Sequence, residues 1–308
     1  MAEPIHIPVI LQECLALLGP RPGDTVVDCT AGRGGHAEAL AGAIGPDGTL
    51  VLIDLDAGNL ETARRHVESK HPDGPQVHAV HGSFGLVHRH LEDLDLRADV
   101  VLADLGFSST QMDDPERGMS FRQDAPLDMR FDTSKGPTAA QILESSSEDE
   151  LEEMIRDFGE EPLARRIAQK VVRARDEKPI EMTGQLTQLV REAYGRRAAT
   201  ARMDPATRTF MALRIAVNDE LVALDALLAA IVYGAEARTS VGWLNQGARI
   251  GIISFHSLED RPVKRAFADL TRRMLATHLT KGPLRASPEE ERANRRSRSA
   301  KLRVVELT

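Results

Sequence analysis

The chain has 308 residues, 42% of them hydrophobic and 28% charged, with a net charge of −8. At roughly 150 residues per domain this is material for two domains with a sizeable core, which excludes global disorder. Two cysteines, Cys14 and Cys29, are too few for a disulfide scaffold or a thiolate zinc site, so a reducing compartment is expected.

No basic leader precedes the short apolar stretch Ile7–Leu11, and Glu13 follows it at once, so no signal peptide is expected. Thr25–Cys29, Thr49–Ile53, Gln76–Val80 and Asp99–Ala103 are short β-rich runs that predict strands, with helices predicted over Ala37–Ile44 and Asn59–Ser69. Near-continuous apolar strands alternating with helices predict an α/β domain, a doubly wound, mostly parallel sheet covered on both faces. After Ala103 the period changes. Leu151, Ile155 and Phe158, then Leu163, Ile167 and Val171, then Leu186, Leu189, Val190 and Ala193 recur at helical spacing. Asp204-Pro205 opens a longer predicted helix with Phe210, Leu213, Val217, Leu221, Leu224 and Leu228 on one stripe. The longest apolar run, Ala226–Tyr233, falls well short of the ~20 residues of a membrane span, so no membrane partner and a cytoplasmic location are expected. The strands resume at Arg249–Ser254 and close with Leu302–Leu307. The expectation is a sheet domain of residues 1–137 and 213–308, interrupted by an all-helical domain of residues 138–212.

Charge is segregated along the chain. Residues 144–161 hold nine acids and one base, residues 191–214 six arginines and two acids, and residues 285–303 seven bases and three acids. A basic face on an acidic protein suits a nucleic-acid partner. Arg196, Arg197 and Arg202, with Arg295, Arg296 and Arg298, are the expected phosphate contacts.

The chemical signal lies in Asp28-Cys-Thr-Ala-Gly-Arg-Gly-Gly-His36. Gly32, Gly34 and Gly35 allow a tight turn and close approach to a ligand at a helix start. Asp54, 22 residues past Gly32, stands where an acid can take both hydroxyls of a ribose, in a solvent-filled crevice where its removal should orphan no buried partner. Gly32, Gly34 and Ala37 also fit a dinucleotide fingerprint, so a nicotinamide oxidoreductase is one reading. However, Asp28 would repel a pyrophosphate and welcome the cationic S-adenosylmethionine. Asp104 ends the fourth strand and should face the same crevice, with Phe107 three residues later as a platform for a flipped base. This spacing suits methylation of an exocyclic amine, whose delocalised lone pair needs an acceptor for its proton.

Other residues are set aside. Ser254, His256, Ser257 and Asp260 lie too close together for a hydrolytic triad, and Ser257-Leu-Glu-Asp260 predicts a capping box instead. The ten histidines show no ligand spacing, and no metal is expected. A pure RNA-binding module remains the non-enzymatic alternative. Phe84 follows the third strand, where its ring could cover an adenine.

Over nearly its whole length the chain resembles the bacterial small-subunit ribosomal RNA cytosine-N4 methyltransferases, the RsmH/MraW family. The resemblance rests on His6–Glu13, Asp28–His36, Asp104–Ser109 with Gln111, Arg117–Phe121 and Ala125–Arg130. It continues through Phe158–Glu161, Pro205–Arg208, Ala212–Asn218 and Ile253–Arg261. It implies a Rossmann-like class I methyltransferase with an inserted substrate-recognition domain, methylating N4 of a cytidine in the decoding centre of 16S rRNA. It further implies cofactor contacts from Gly34, Gly35, His36, Asp54, Phe84, Asp104 and Gln111, and a partner in the 30S subunit, and it leaves a homodimer open. Phe107 departs from the family's usual valine. Neither cysteine sits in a proline–cysteine motif, which agrees with direct displacement without a covalent enzyme intermediate.

Overall fold

Valine, leucine and isoleucine runs build a seven-stranded sheet in the computed structural model, which describes residues 8–108, 111–112, 114–200, 203–237 and 242–308. His6, Ile7, Ser109 and Arg202, singled out above, lie outside the described residues. The strands are β1 (Thr25–Asp28), β2 (Thr49–Asp54), β3 (Gln76–His81), β4 (Ala98–Asp104), β5 (Leu244–Ser254), β6 (Ala276–His278) and β7 (Lys301–Leu307), in the order β3-β2-β1-β4-β5-β7-β6. The first five are parallel, while β7 runs antiparallel to both β5 and β6. This is the doubly wound, Rossmann-like arrangement expected. The short β6 and the first five residues of β5 carry no apolar run, which is why periodicity missed them.

Both faces of the sheet are covered, which explains why the inner strands are apolar throughout rather than alternating. Val26, Leu50, Leu52, Val100 and Leu102 pack on one face against the helices Leu11–Leu18, Gly35–Ile44 and Ala57–Lys70. Val27, Val51, Ile53, Val101 and Ala103 pack on the other against Val87–Asp93, Glu220–Ala237 and Ser257–Arg272. Each fully buried aliphatic side chain contributes about 1.5–3 kcal/mol. The chain moves outward from β1 to β3 and then returns to place β4 on the opposite side of β1. That reversal opens a crevice at the carboxyl ends of β1 and β4, the general position for a ligand in such sheets.

The chain divides into two compact units, one running up to Gly106 and resuming at Leu221, the other Phe107–Glu220. The helical unit is therefore wider than the expected 138–212. Residues 114–137 show no helical period, yet they are bound into it. Leu127 and Met129 are buried among Leu143, Ile155, Ile167, Leu186 and Phe210. Thr183 Oγ1 donates to the Gln123 carbonyl and accepts from the Ala125 N–H, both at 3.0 Å. Its helices are Ala139–Ser145, Glu148–Gly159, Ala164–Glu177, Thr183–Tyr194 and Ala206–Val217.

The single long helix expected after Asp204-Pro205 is in fact two, broken at Asn218 and Asp219. The Asn218 side chain donates to the Arg214 carbonyl at 2.9 Å and to the Met129 carbonyl at 2.8 Å, and it accepts from Phe131 N–H at 2.6 Å. Asp219 then takes a left-handed conformation, φ 50°. A side chain that competes for the last carbonyls ends a helix even where the apolar stripe continues.

Candidate active site

Strand register brings three carboxylates together. Asp28 pairs with Leu52 of β2 and with Leu102 of β4. Asp54 and Asp104 each lie two residues beyond those partners, so all three side chains emerge on the same face at the carboxyl edge of the sheet. Asp28 is fully buried; its Oδ1 accepts from Thr30 N–H at 3.1 Å, and its Oδ2 has no partner among the described residues. Burial pushes its carboxyl up to about 7 and that of Asp54 up to about 6, from an ordinary value of 3.8.

The glycine loop is built around Asp54. Its Oδ2 accepts from Gly32 N–H and its Oδ1 from Asp56 N–H, both at 2.8 Å. This corrects the expectation that Asp54 stands free of protein partners. Each oxygen retains a further lone pair for a ligand hydroxyl. Gly34 has φ 88°, and a Cβ there would lie 3.1 Å from Ala63 Cα. Gly35 begins the following helix, and a Cβ there would press on the Pro8 ring at 3.3 Å. Packing between neighbouring segments thus requires small residues here.

Asp104 is held by its backbone, whose N–H donates to Thr30 Oγ1 at 2.7 Å. Thr30, which the sequence reading overlooked, therefore links the ends of β1 and β4. His36 is buried, with Nε2 3.0 Å from the Val9 carbonyl. A carbonyl only accepts, so the proton sits on Nε2, and Nδ1 faces Asp104 Oδ2 at 3.7 Å. Asp104 Oδ1 is buried without a hydrogen-bond partner among the described residues. Burial first, then the nearby Asp28 and Glu259 carboxylates, holds its carboxyl well above the usual range.

The capping box near residue 257 exists one residue earlier than expected. His256 is the N-cap, and Glu259 Oε2 accepts from Phe255 N–H at 2.7 Å and His256 N–H at 3.3 Å. Phe84 opens a single turn after β3, and its partly buried ring packs against the core face opposite the carboxylates. Gln111 belongs to the helical unit. Its Oε1 accepts from Ser108 N–H at 2.9 Å while its own N–H donates to Ser108 Oγ at 3.3 Å, a reciprocal cap. Phe107 carries the Arg214 guanidinium over its ring at 4.5 Å, and that guanidinium also pairs with both oxygens of Glu220. The platform expected at Phe107 thus has one face already covered by a cation.

The basic stretches are partly internal. Lys301 and Arg303 both pair with Asp260, Arg292 pairs with Glu289, and Arg191 pairs with Asp204. Arg196, Arg197, Arg295 and Arg298 remain exposed. Among the described residues no group of three or more His, Cys, Asp or Glu side chains is arranged to hold a metal ion, and no helix is long and apolar enough to cross a membrane.

Comparison with known proteins adds the following. A model of the MraW methylase family matches residues 3–308. The ribosomal RNA small subunit methyltransferase H of Symbiobacterium thermophilum is 44% identical over 316 residues, covering 97% of this chain and 96% of that protein. The protein of the same name from Trichlorobacter lovleyi is 42% identical over 322 residues, covering 99% of each.

Proposed function

Because the chain belongs to the MraW methylase family, we propose that it transfers a methyl group from S-adenosylmethionine to N4 of a cytidine in the decoding centre of 16S rRNA. The observation that carries this reading is the carboxylate trio Asp28, Asp54 and Asp104 on one face at the ends of adjacent strands. A like charge about 4 Å away costs roughly 4 kcal/mol at an effective dielectric constant near 20, and an opposite charge gains as much. In its ionised form, which a neighbouring cation stabilises against the burial that raises these carboxyls, the trio therefore disfavours the pyrophosphate of a nicotinamide cofactor and favours a ligand bearing sulfonium and ammonium groups. The unpartnered buried oxygens of Asp28 and Asp104 fit the same ligand. The relatives' names support small-subunit rRNA as the acceptor.

When bound, the cofactor supplies an electrophilic methyl group on a sulfonium sulfur. The chain's part is placement and proton handling. Gly34, Gly35, His36, Asp54, Phe84, Asp104 and Gln111 are the proposed cofactor contacts, with Asp54 toward the ribose and the glycine loop beside it. Asp104, fixed through Thr30, is the candidate acceptor for the amine proton as the new C–N bond forms. Entry of positive charge beside it lowers its raised pKa and readies it to accept. Proximity within a dry, oriented site then supplies the remaining rate. The helical unit is the proposed RNA-recognition element, acting on the 30S subunit.

Two measurements test this reading. Calorimetry should detect binding of S-adenosylhomocysteine and none of NAD; the reverse result would overturn it. Mass spectrometry of 16S rRNA fragments from cells lacking the protein should show one cytidine lacking its N4 methyl group, restored by the wild-type gene. An unchanged methylation pattern would refute the substrate.

A further inference from the structure

We propose that Arg165, Arg166, Arg196 and Arg197 form one patch of the helical unit that grips the phosphate backbone of the RNA substrate, an inference resting on the rRNA-methylation reading above. Two of the four, Arg165 and Arg166, come from a stretch in which the sequence shows only an amphipathic helix.

The patch is assembled by two ties between neighbouring helices. Lys170 Nζ meets Glu192 Oε2 at 3.0 Å along their length. At one end, Tyr194 Oη lies 2.9 Å from both carboxylate oxygens of Glu161. Tyr194 is the last residue of the helix Thr183–Tyr194, and Glu161 lies just before the helix Ala164–Glu177. The end of one helix therefore meets the start of the other, which brings Arg196 and Arg197 to the turn that carries Arg165 and Arg166. Arg208 joins from a third segment, donating from Nη1 to the Glu160 carbonyl at 3.0 Å.

All four guanidinium groups are exposed, and they make no hydrogen bond or ion pair among the described residues. Their neighbours behave differently. Arg156 pairs with Asp157, Arg191 with Asp204, and Arg175 donates to the Leu143 and Ser146 carbonyls. Of the local acids, Glu161 is buried and already accepts from Leu163 N–H and Tyr194, Glu192 is exposed but paired with Lys170, and Glu160 is exposed. No acid lies in the first turn beside Arg165 and Arg166. Four arginines unpaired among the described residues at one helix junction repel one another, and Glu160 supplies one exposed negative charge beside four positive ones, in a protein whose acids outnumber its bases by 47 to 39. A polyanion relieves that repulsion, and the planar guanidinium fork matches phosphate oxygens two at a time.

The test compares the full-length wild type with R165Q/R166Q/R196Q/R197Q, using protein-free 16S rRNA and 30S subunits as probes across a salt series. Each phosphate contact contributes about 0.7–0.9 to the slope of log affinity against log salt. The variant should lose about 3 from that slope and bind RNA at least tenfold more weakly at low salt. S-adenosylhomocysteine affinity and Tm should be unchanged. The separate pairs R165Q/R166Q and R196Q/R197Q should each lose about half, which keeps the test valid if the quadruple variant folds poorly. R64Q/R65Q, whose arginines are already paired with Glu61 and Glu68, should leave the slope intact. Wild-type affinity and slope in the folded variants would overturn the patch alone. Loss of 30S binding with undiminished binding to free RNA would assign the surface to a ribosomal protein and also overturn it. A wild type that binds neither probe would bring down the rRNA reading and the patch together.

Discussion

Asp54 Oδ2 accepts the Gly32 N–H at 2.8 Å, so the acid at the end of β2 and the glycine loop after β1 form one hydrogen-bonded unit. The same carboxylate holds Asp56 N–H at 2.8 Å, one residue before the next helix. An acid in this position shapes the loop before any ligand arrives.

Asp54→Ala should consequently lose more than a ligand contact. Two backbone donors lose their acceptor, and each left unsatisfied costs about 1–3 kcal/mol. Tm should fall by several degrees, and affinity for S-adenosylhomocysteine should drop tenfold or more. Saturating S-adenosylmethionine should restore part of the methyl transfer. A variant with wild-type Tm and wild-type affinity by calorimetry would refute both roles.

Asp104→Asn should behave otherwise. The N–H that donates to Thr30 Oγ1 belongs to the backbone and survives the change. Removing a proton acceptor typically lowers the chemical step by about 10²–10⁴, so kcat should collapse while KM for S-adenosylmethionine shifts only severalfold. Recovery of full activity at saturating cofactor would mean that Asp104 does no more than bind it.

The buried carboxylates predict opposite pH trends for stability and binding. Asp28 is pushed up to about 7 and Asp54 up to about 6, each against an ordinary 3.8, chiefly by burial. The folded state then holds these protons more tightly than the unfolded chain, so their stabilising contribution is complete below about pH 4. It is lost as pH rises through about 6 and then about 7. Between pH 5 and 7.5 the Tm of the ligand-free protein should fall, while affinity for S-adenosylmethionine rises with release of protons. Asp28→Asn should flatten both trends. Thermal scans and calorimetry in buffers of different ionisation enthalpy measure them, and a rising Tm or proton uptake would contradict the assignment.

Gly34 is constrained twice, by φ 88° and by the 3.1 Å approach that its Cβ would make to Ala63 Cα. Gly34→Ala should destabilise the protein by about 1–3 kcal/mol and weaken cofactor binding by displacing the loop. Gly282→Ala, where nothing lies within 4 Å of the added atom, should do neither. Equal Tm values for the two variants in parallel scans would show that the loop yields freely.

What the sequence determined by itself was local. Apolar runs without polar alternation specify strands buried on both faces, and this is visible in Thr49–Ile53 without any coordinates. The glycines of residues 32–35 and the acid at 54 announce a tight loop and its partner, because positive φ and strand-end position are short-range demands. Tertiary structure decided everything that depends on partners distant in the chain. Asn218 ends a helix whose apolar stripe continues, because the Met129 and Phe131 backbone groups, nearly ninety residues earlier, claim its amide. Lys301 and Arg303 turn inward, because Asp260 waits across more than forty residues. Arg196 and Arg197 stay outward, because the buried acid of their junction, Glu161, is already taken by Tyr194 and the Leu163 N–H, and Glu192 by Lys170. Charge is a property of each residue, but neutralisation is a property of pairs, and only the folded chain chooses the pairs.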